Sequence, residues 1–110
     1  DAAAFLLLAD AAKAASAGHK PIARLVSYAI AGVPNEVMGE GPIPATKLAL
    51  QRAGLTLDQI DVIESNEAFA TGSVIITKLL HELIRTNGRY GVATMCIGGG
   101  QGITTVWERV

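Results

Sequence analysis

Cys96 is the residue of this chain whose position most invites chemistry. It closes an apolar stretch and is followed by Ile97 and then by Gly98-Gly99-Gly100. A cysteine thiolate can serve as base or nucleophile. Glycines let a substrate approach the backbone, and exposed N–H groups there can stabilise a developing oxyanion. The same letters also describe a small buried hydrophobe ahead of a glycine hairpin, and spacing alone favours that plainer reading. The second candidate is Asn66-Glu67-Ala68-Phe69. Asn66 can hold a water or orient a carbonyl, and Glu67 can act as an acid or base. The plainer reading, again favoured by the residues alone, is a helix cap with Glu67 in the first turn, where the dipole suits an anion.

Other groups carry less. Gly39-Glu40-Gly41-Pro42-Ile43-Pro44 can cradle a ligand but lacks the glycine spacing of a phosphate loop. Gly98 to Gly102 is followed by a strand pattern rather than a helix, which argues against a helix-dipole phosphate site. His19 lies in a connection and His81 off the apolar stripe of a helix, so both read as solvated. With one cysteine they make no metal pattern.

These residues need elements to position them. Residues 2–9 (AAAFLLLA) form a short apolar run of buried-strand type. Residues 10–17 are alanine-rich and stop at Gly18, as a helix does. Residues 22–31 read as a strand, and 32–44 as an irregular loop broken by glycine and proline. A helix is expected over 45–53, with Leu48 and Ala49 inward and Gly54 past its end. Thr56 to Gln59 has capping-box spacing. Residues 60–65 suggest a strand. Residues 73–85 suggest an amphipathic helix with Ile76, Leu79, Leu80, Leu83 and Ile84 on one face and Asn87-Gly88 as its left-handed stop. Strands over 90–97 and 103–110 flank the glycine turn. The order β-α-β-α-β-α-β-β predicts an α/β layered domain: a mostly parallel sheet with a C-terminal antiparallel hairpin and helices on its faces. Both Cys96 and Asn66 then fall at strand C-terminal ends, where sites form in such sheets.

Composition narrows the function classes. A chain of 110 residues, half of them apolar and 17% charged, fits one globular domain. A net charge of −1 with no basic run argues against a nucleic-acid partner. No apolar run reaches the ~20 residues of a membrane helix, and no basic segment precedes residues 2–9 to make a secretion signal. The lone cysteine excludes an internal disulfide and fits a reducing compartment, cytoplasm or organelle matrix. Because the chain opens on Asp1 rather than methionine, a fragment or processed product is expected.

Taken together, three motifs in order resemble one family. Met38-Gly39-Glu40-Gly41-Pro42-Ile43-Pro44-Ala45-Thr46, Asn66-Glu67-Ala68-Phe69-Ala70 and Cys96-Ile97-Gly98-Gly99-Gly100-Gln101-Gly102 are similar to those of thiolases, the acetyl-CoA acetyltransferases and 3-ketoacyl-CoA thiolases. Asp1-Ala2-Ala3-Ala4 resembles the start of that family's C-terminal domain, so the likeness covers nearly the whole chain. The resemblance implies a reversible Claisen condensation of acyl-CoA thioesters, with coenzyme A thioesters as substrates and no cofactor. It implies that Cys96 is the acid/base cysteine, that Asn66 holds the water of one oxyanion hole, and that the Gly98 N–H contributes to the other. It also implies a partner N-terminal half and a homo-oligomer, with no membrane partner.

The departures are large. The family's nucleophilic cysteine lies in the N-terminal half, which these residues lack. The Gly-His-Pro segment whose histidine activates it is also missing: Ala70 runs directly into Thr71. Gly18-His19-Lys20-Pro21 is no substitute, since it belongs to a different element. The expectation is residues 1–110 as a thiolase C-terminal domain, truncated at its N-terminus, without the segment between Ala70 and Thr71, and inactive alone. The alternative is a non-enzymatic folding or oligomerisation module. Other condensing enzymes, such as ketoacyl synthases or the sterol-carrier branch, fit the intact Cys96 and Asn66 motifs less well. The resemblance requires Cys96 and Asn66 to meet at one rim of one sheet.

Overall fold

A computed structural model of the chain describes residues 3–66 and 72–110. Among the described residues, helices α1 (Ala11–Ser16), α2 (Pro42–Ala53) and α3 (Gly72–Thr86) accompany strands β1 (Ala23–Gly32), β2 (Val62–Asn66), β3 (Tyr90–Ile97) and β4 (Gln101–Arg109). The strands make one sheet in the order β1-β4-β3-β2. α2 packs on one face, where Ala49 and Leu50 meet Ala29, Val92 and Val106. α3 packs on the other, where Ile75, Leu79, Leu80 and Leu83 meet Ala93 and Trp107. The result is a three-layer α/β domain with a core on each side of the sheet. No described helix is long and apolar enough to cross a membrane.

The expectation of a mostly parallel sheet is corrected. Only β2 and β3 pair in parallel, while β4 is antiparallel to both β3 and β1. The ladders still give β1, β2 and β3 one common direction, as strand-helix-strand alternation demands. β4 returns from the glycine turn and lodges between β1 and β3, so most neighbour pairs become antiparallel. The final hairpin is therefore central, not peripheral.

The apolar run at residues 2–9 is not a buried strand. Among its described residues no strand forms, and Phe5 and Leu7 are 94% and 89% exposed. Leu6 alone packs partly against the α3 core. Such a strand needs a ladder partner, and the described residues offer none to this segment. Tyr28 and Ile30 of β1 are likewise exposed. They lie on the α3 side of the sheet, in register with Thr105 and Ile103, beyond the strip α3 covers.

Smaller departures have local causes. α2 begins at Pro42, not residue 45, because a proline's fixed φ suits the first helical turn. A 3-10 segment, Asn35–Glu40, occupies much of the expected loop. In α3 the buried face runs through Ile75, Leu79 and Leu83 at i, i+4 spacing, with Leu80 beside it, and Ile84 is exposed. The Thr56–Gln59 capping box forms, and Asn87 takes the left-handed stop after α3 with φ 55°. The expected cap on the turn after Asn66, with Glu67, lies outside the described residues.

The end of the sheet away from Cys96 is tied by carboxylates. Glu108, buried on β4, accepts from Arg24 Nε on β1 and from Arg89 Nε beside β3, each at 2.9 Å. Asp61 accepts the backbone N–H groups of Tyr90 at 3.0 Å and Arg89 at 2.6 Å, joining the approach to β2 with β3. The Arg24 and then the Arg89 hydrogen bonds hold the Glu108 carboxyl below the usual range. The Tyr90 and Arg89 amides do the same for Asp61. A carboxyl depressed in the folded state stabilises above its unfolded pKa, about 4.3 for Glu and 3.9 for Asp. That stability disappears as pH falls through the lower folded value. The urea midpoint should therefore hold steady down to about pH 5 and then drop on further acidification. Glu108→Gln should make the acid drop shallower. A wild-type midpoint flat through the carboxylate range would refute this account.

Candidate functional site

β2 and β3 run side by side in parallel, with Asn66 opposite Met95 in the ladder. Cys96 is the next residue of β3, so the thiol and the amide reach the same rim. Cys96, Asn66 and Ser65 together with Gly39, Pro42 and Ile43 line a cavity of about 320 Å³. The sheet supplies one wall and the start of α2 the other. Asn66 is buried and Cys96 is half-buried. A half-buried thiol facing a cleft can meet a ligand, which a core thiol cannot.

Backbone contact fixes this wall. Gly102 faces Cys96 across the β3–β4 ladder. Its Cα lies against the Gly41 carbonyl, so that a Cβ on either glycine would strike the other's backbone. Two facing glycines thus let the first turn of α2 lie directly on the hairpin beside Cys96. The turn itself is clamped to the end of β1: Val33 N–H donates to the Gly100 carbonyl at 2.7 Å. Gly99 and Gly100 take φ of 75° and 72°, the left-handed region that favours glycine.

Of the residues singled out in the sequence, Cys96 and Asn66 come together. Gly39, Pro42 and Ile43 of the glycine-proline loop join them. Gly98 stands at the exposed hairpin turn, outside the lining of the cavity. His19 and His81 are both exposed. Glu67 lies outside the described residues. Ser65 escaped notice because it carries no signal of its own in the sequence; its ladder partner Thr94 places it on the Cys96 face of the sheet. A cluster of threonine hydroxyls beneath the cavity escaped notice too. Its signal was there: Thr94 and Thr104 stand two residues from Cys96 and Gly102, the strand period.

The family model for the thiolase C-terminal domain matches residues 19–71 and 70–109, most of the chain, in two stretches that overlap at residues 70 and 71. The chain belongs to the thiolase family. Curated thiolase relatives agree. A beta-ketothiolase of Cupriavidus necator is 46% identical over 142 positions, spanning all of this chain and 36% of the relative. An acetyl-CoA acetyltransferase of Escherichia coli is 41% identical, again over the full chain and 36% of its own length. The chain thus spans about a third of the curated thiolases it matches. Among solved thiolases, human mitochondrial 3-ketoacyl-CoA thiolase superposes with a TM-score of 0.89 at 33% identity, over 93% of this chain and 34% of that one. The Bacillus anthracis acetyl-CoA acetyltransferase gives 0.87 at 31%, covering 91% of this chain and 34% of its own. The α/β fold is therefore that of the C-terminal part of a thiolase.

Proposed function

We propose that this chain supplies the proton-transfer part of an acyl-CoA C-acyltransferase site, working on 3-ketoacyl-CoA thioesters in a reversible Claisen condensation. The observation that carries the reading is the convergence of Cys96 and Asn66 on one cavity. In the condensing direction the Cys96 thiolate takes a proton from the carbon beside an acetyl thioester. The electron pair moves onto the thioester oxygen, giving an enolate. A water held by Asn66 donates a hydrogen bond to one oxyanion, and the Gly98 N–H to the other. Such donors help most when fixed before charge develops. The enolate carbon attacks an acyl group carried on a second cysteine, and the bond to that sulfur breaks. Thiolysis is the reverse. No cofactor enters this scheme, and coenzyme A is part of the substrate.

Cys96 is the sole cysteine of the chain, so it cannot be acid/base and acyl carrier at once. We therefore assign the acyl-carrying cysteine, and the histidine that activates it, to residues beyond these 110. Two findings support a segment between Ala70 and Thr71 in the relatives. The family model matches on either side of that junction, and alignments to the relatives run over 142 positions against a chain of 110. The chain alone should show no thiolysis of acetoacetyl-CoA above a Cys96→Ala control. Turnover clearly above that control would overturn the division of labour proposed here.

A further inference from the structure

We propose that the hydroxyl cluster of Thr46, Thr94 and Thr104 is a positioning device that sets the width of the Cys96 cavity. Thr104 is its hub. Its Oγ1 lies 3.0 Å from that of Thr46 and 2.7 Å from that of Thr94. Thr46 Oγ1 also reaches Thr94 Oγ1 at 3.5 Å, and Thr94 donates to the Ile103 carbonyl at 3.3 Å. Thr104 is completely buried and Thr94 nearly so.

The cluster lies one layer below the cavity and ties α2 to β3, which both line it, and to β4 beside them. Thr94 is two residues before Cys96 and shares its side of β3. Thr104 pairs with Thr94 in the ladder as Gly102 pairs with Cys96. Thr46 follows Pro42 by one helical turn and so shares its side of α2, where Pro42 lines the cavity. One layer deeper, the α2 contact is apolar, made by Ala49, Val92 and Val106. Apolar packing holds two elements together but tolerates sliding, whereas hydrogen bonds fix distance and direction. With Thr94 donating to Ile103, Thr104 to Thr94 and Thr46 to Thr104, every hydroxyl proton is used. Removing the hub leaves Thr46 no better partner on the sheet than Thr94 at 3.5 Å, too long to hold the helix start.

The inference depends on the acyl-transfer reading only for the purpose of the positioning; the geometry belongs to the chain itself. The single thiol provides the probe. Iodoacetamide alkylation of Cys96 in the full chain, followed by intact mass against pH, reports how freely a small reagent enters the cavity between the start of α2 and the sheet. Thr104→Val, which keeps the side-chain shape, should raise the alkylation rate about fivefold, the effect of one hydrogen bond on a local opening. Thr94→Val should raise it in the same direction. Thr104→Ser should stay within about twofold of wild type, because the hydroxyl is retained. Ile75→Val trims the core on the opposite face of the sheet, away from α2, and should also stay within about twofold. A Thr104→Val rate equal to wild type overturns the proposal, and so does an equal rise in Ile75→Val. Failure of the acyl-transfer reading would appear in the thiolysis assay instead and leave this pattern unchanged.

Discussion

Cys96→Ala should lower kcat for acetoacetyl-CoA thiolysis by about 10²–10⁴-fold, the usual contribution of a positioned acid or base. The assay uses a chimera in which this chain replaces the matching 36% of the Escherichia coli acetyl-CoA acetyltransferase. Any residues that the relative carries between the positions of Ala70 and Thr71 are kept, since the two stretches of the family match overlap there. The size of the effect follows from the site. Proton removal beside a thioester needs a base held against that carbon. Among the described residues that line the cavity, Cys96 is the one with an acid/base side chain. KM should change far less than kcat, since the thiol acts on the reacting carbon rather than on the body of the substrate. A Cys96→Ala chimera that keeps turnover within tenfold of its parent would place the base elsewhere.

Gly102→Ala should be among the most damaging single methyl groups that can be added to this domain. The new Cβ would sit 2.0 Å from the Gly41 carbonyl carbon, 2.1 Å from its oxygen and 2.4 Å from Pro42 N. All three are backbone atoms, so no rotamer change relieves the clash, and the first turn of α2 must leave the hairpin. Overpacking of buried sites usually costs about 1–3 kcal/mol, and a backbone collision belongs at or above the top of that range. Gly98→Ala is the internal comparison. A Cβ there meets nothing within 4 Å and the backbone is not left-handed, so stability should change by less than about 0.5 kcal/mol. Urea denaturation of both variants decides the matter. Equal stability of Gly102→Ala and wild type would mean that the two glycines do not set this contact.

The two outcomes concern different layers of one arrangement, and the sequence exposed them unequally. Elements with strong local signals were legible: the capping box at Thr56–Gln59, the glycine stop at Gly54, the amphipathic α3 and the β3–turn–β4 hairpin. Their determinants lie within a few residues of one another, so a reader of the letters has all the relevant partners in view. Residues 2–9 misled because an apolar run specifies burial without specifying what will cover it. α2 was placed too late because its prolines look like loop breakers, yet proline in a first helical turn costs nothing.

The sequence by itself determined the kinds of element, their order, and the motifs around Asn66 and Cys96. These depend on periodicity, caps and turn chemistry, which are local. Only the tertiary structure decided that β4 lies between β1 and β3. Only it brought Gly41 against Gly102, and Thr46, Thr94 and Thr104 to a shared point. Those facts depend on ladder register and on the helix that each face of the sheet accepts, contacts between residues tens of positions apart. The Cys96 cavity comes from both: the letters supplied its groups, and strand pairing brought them to one rim.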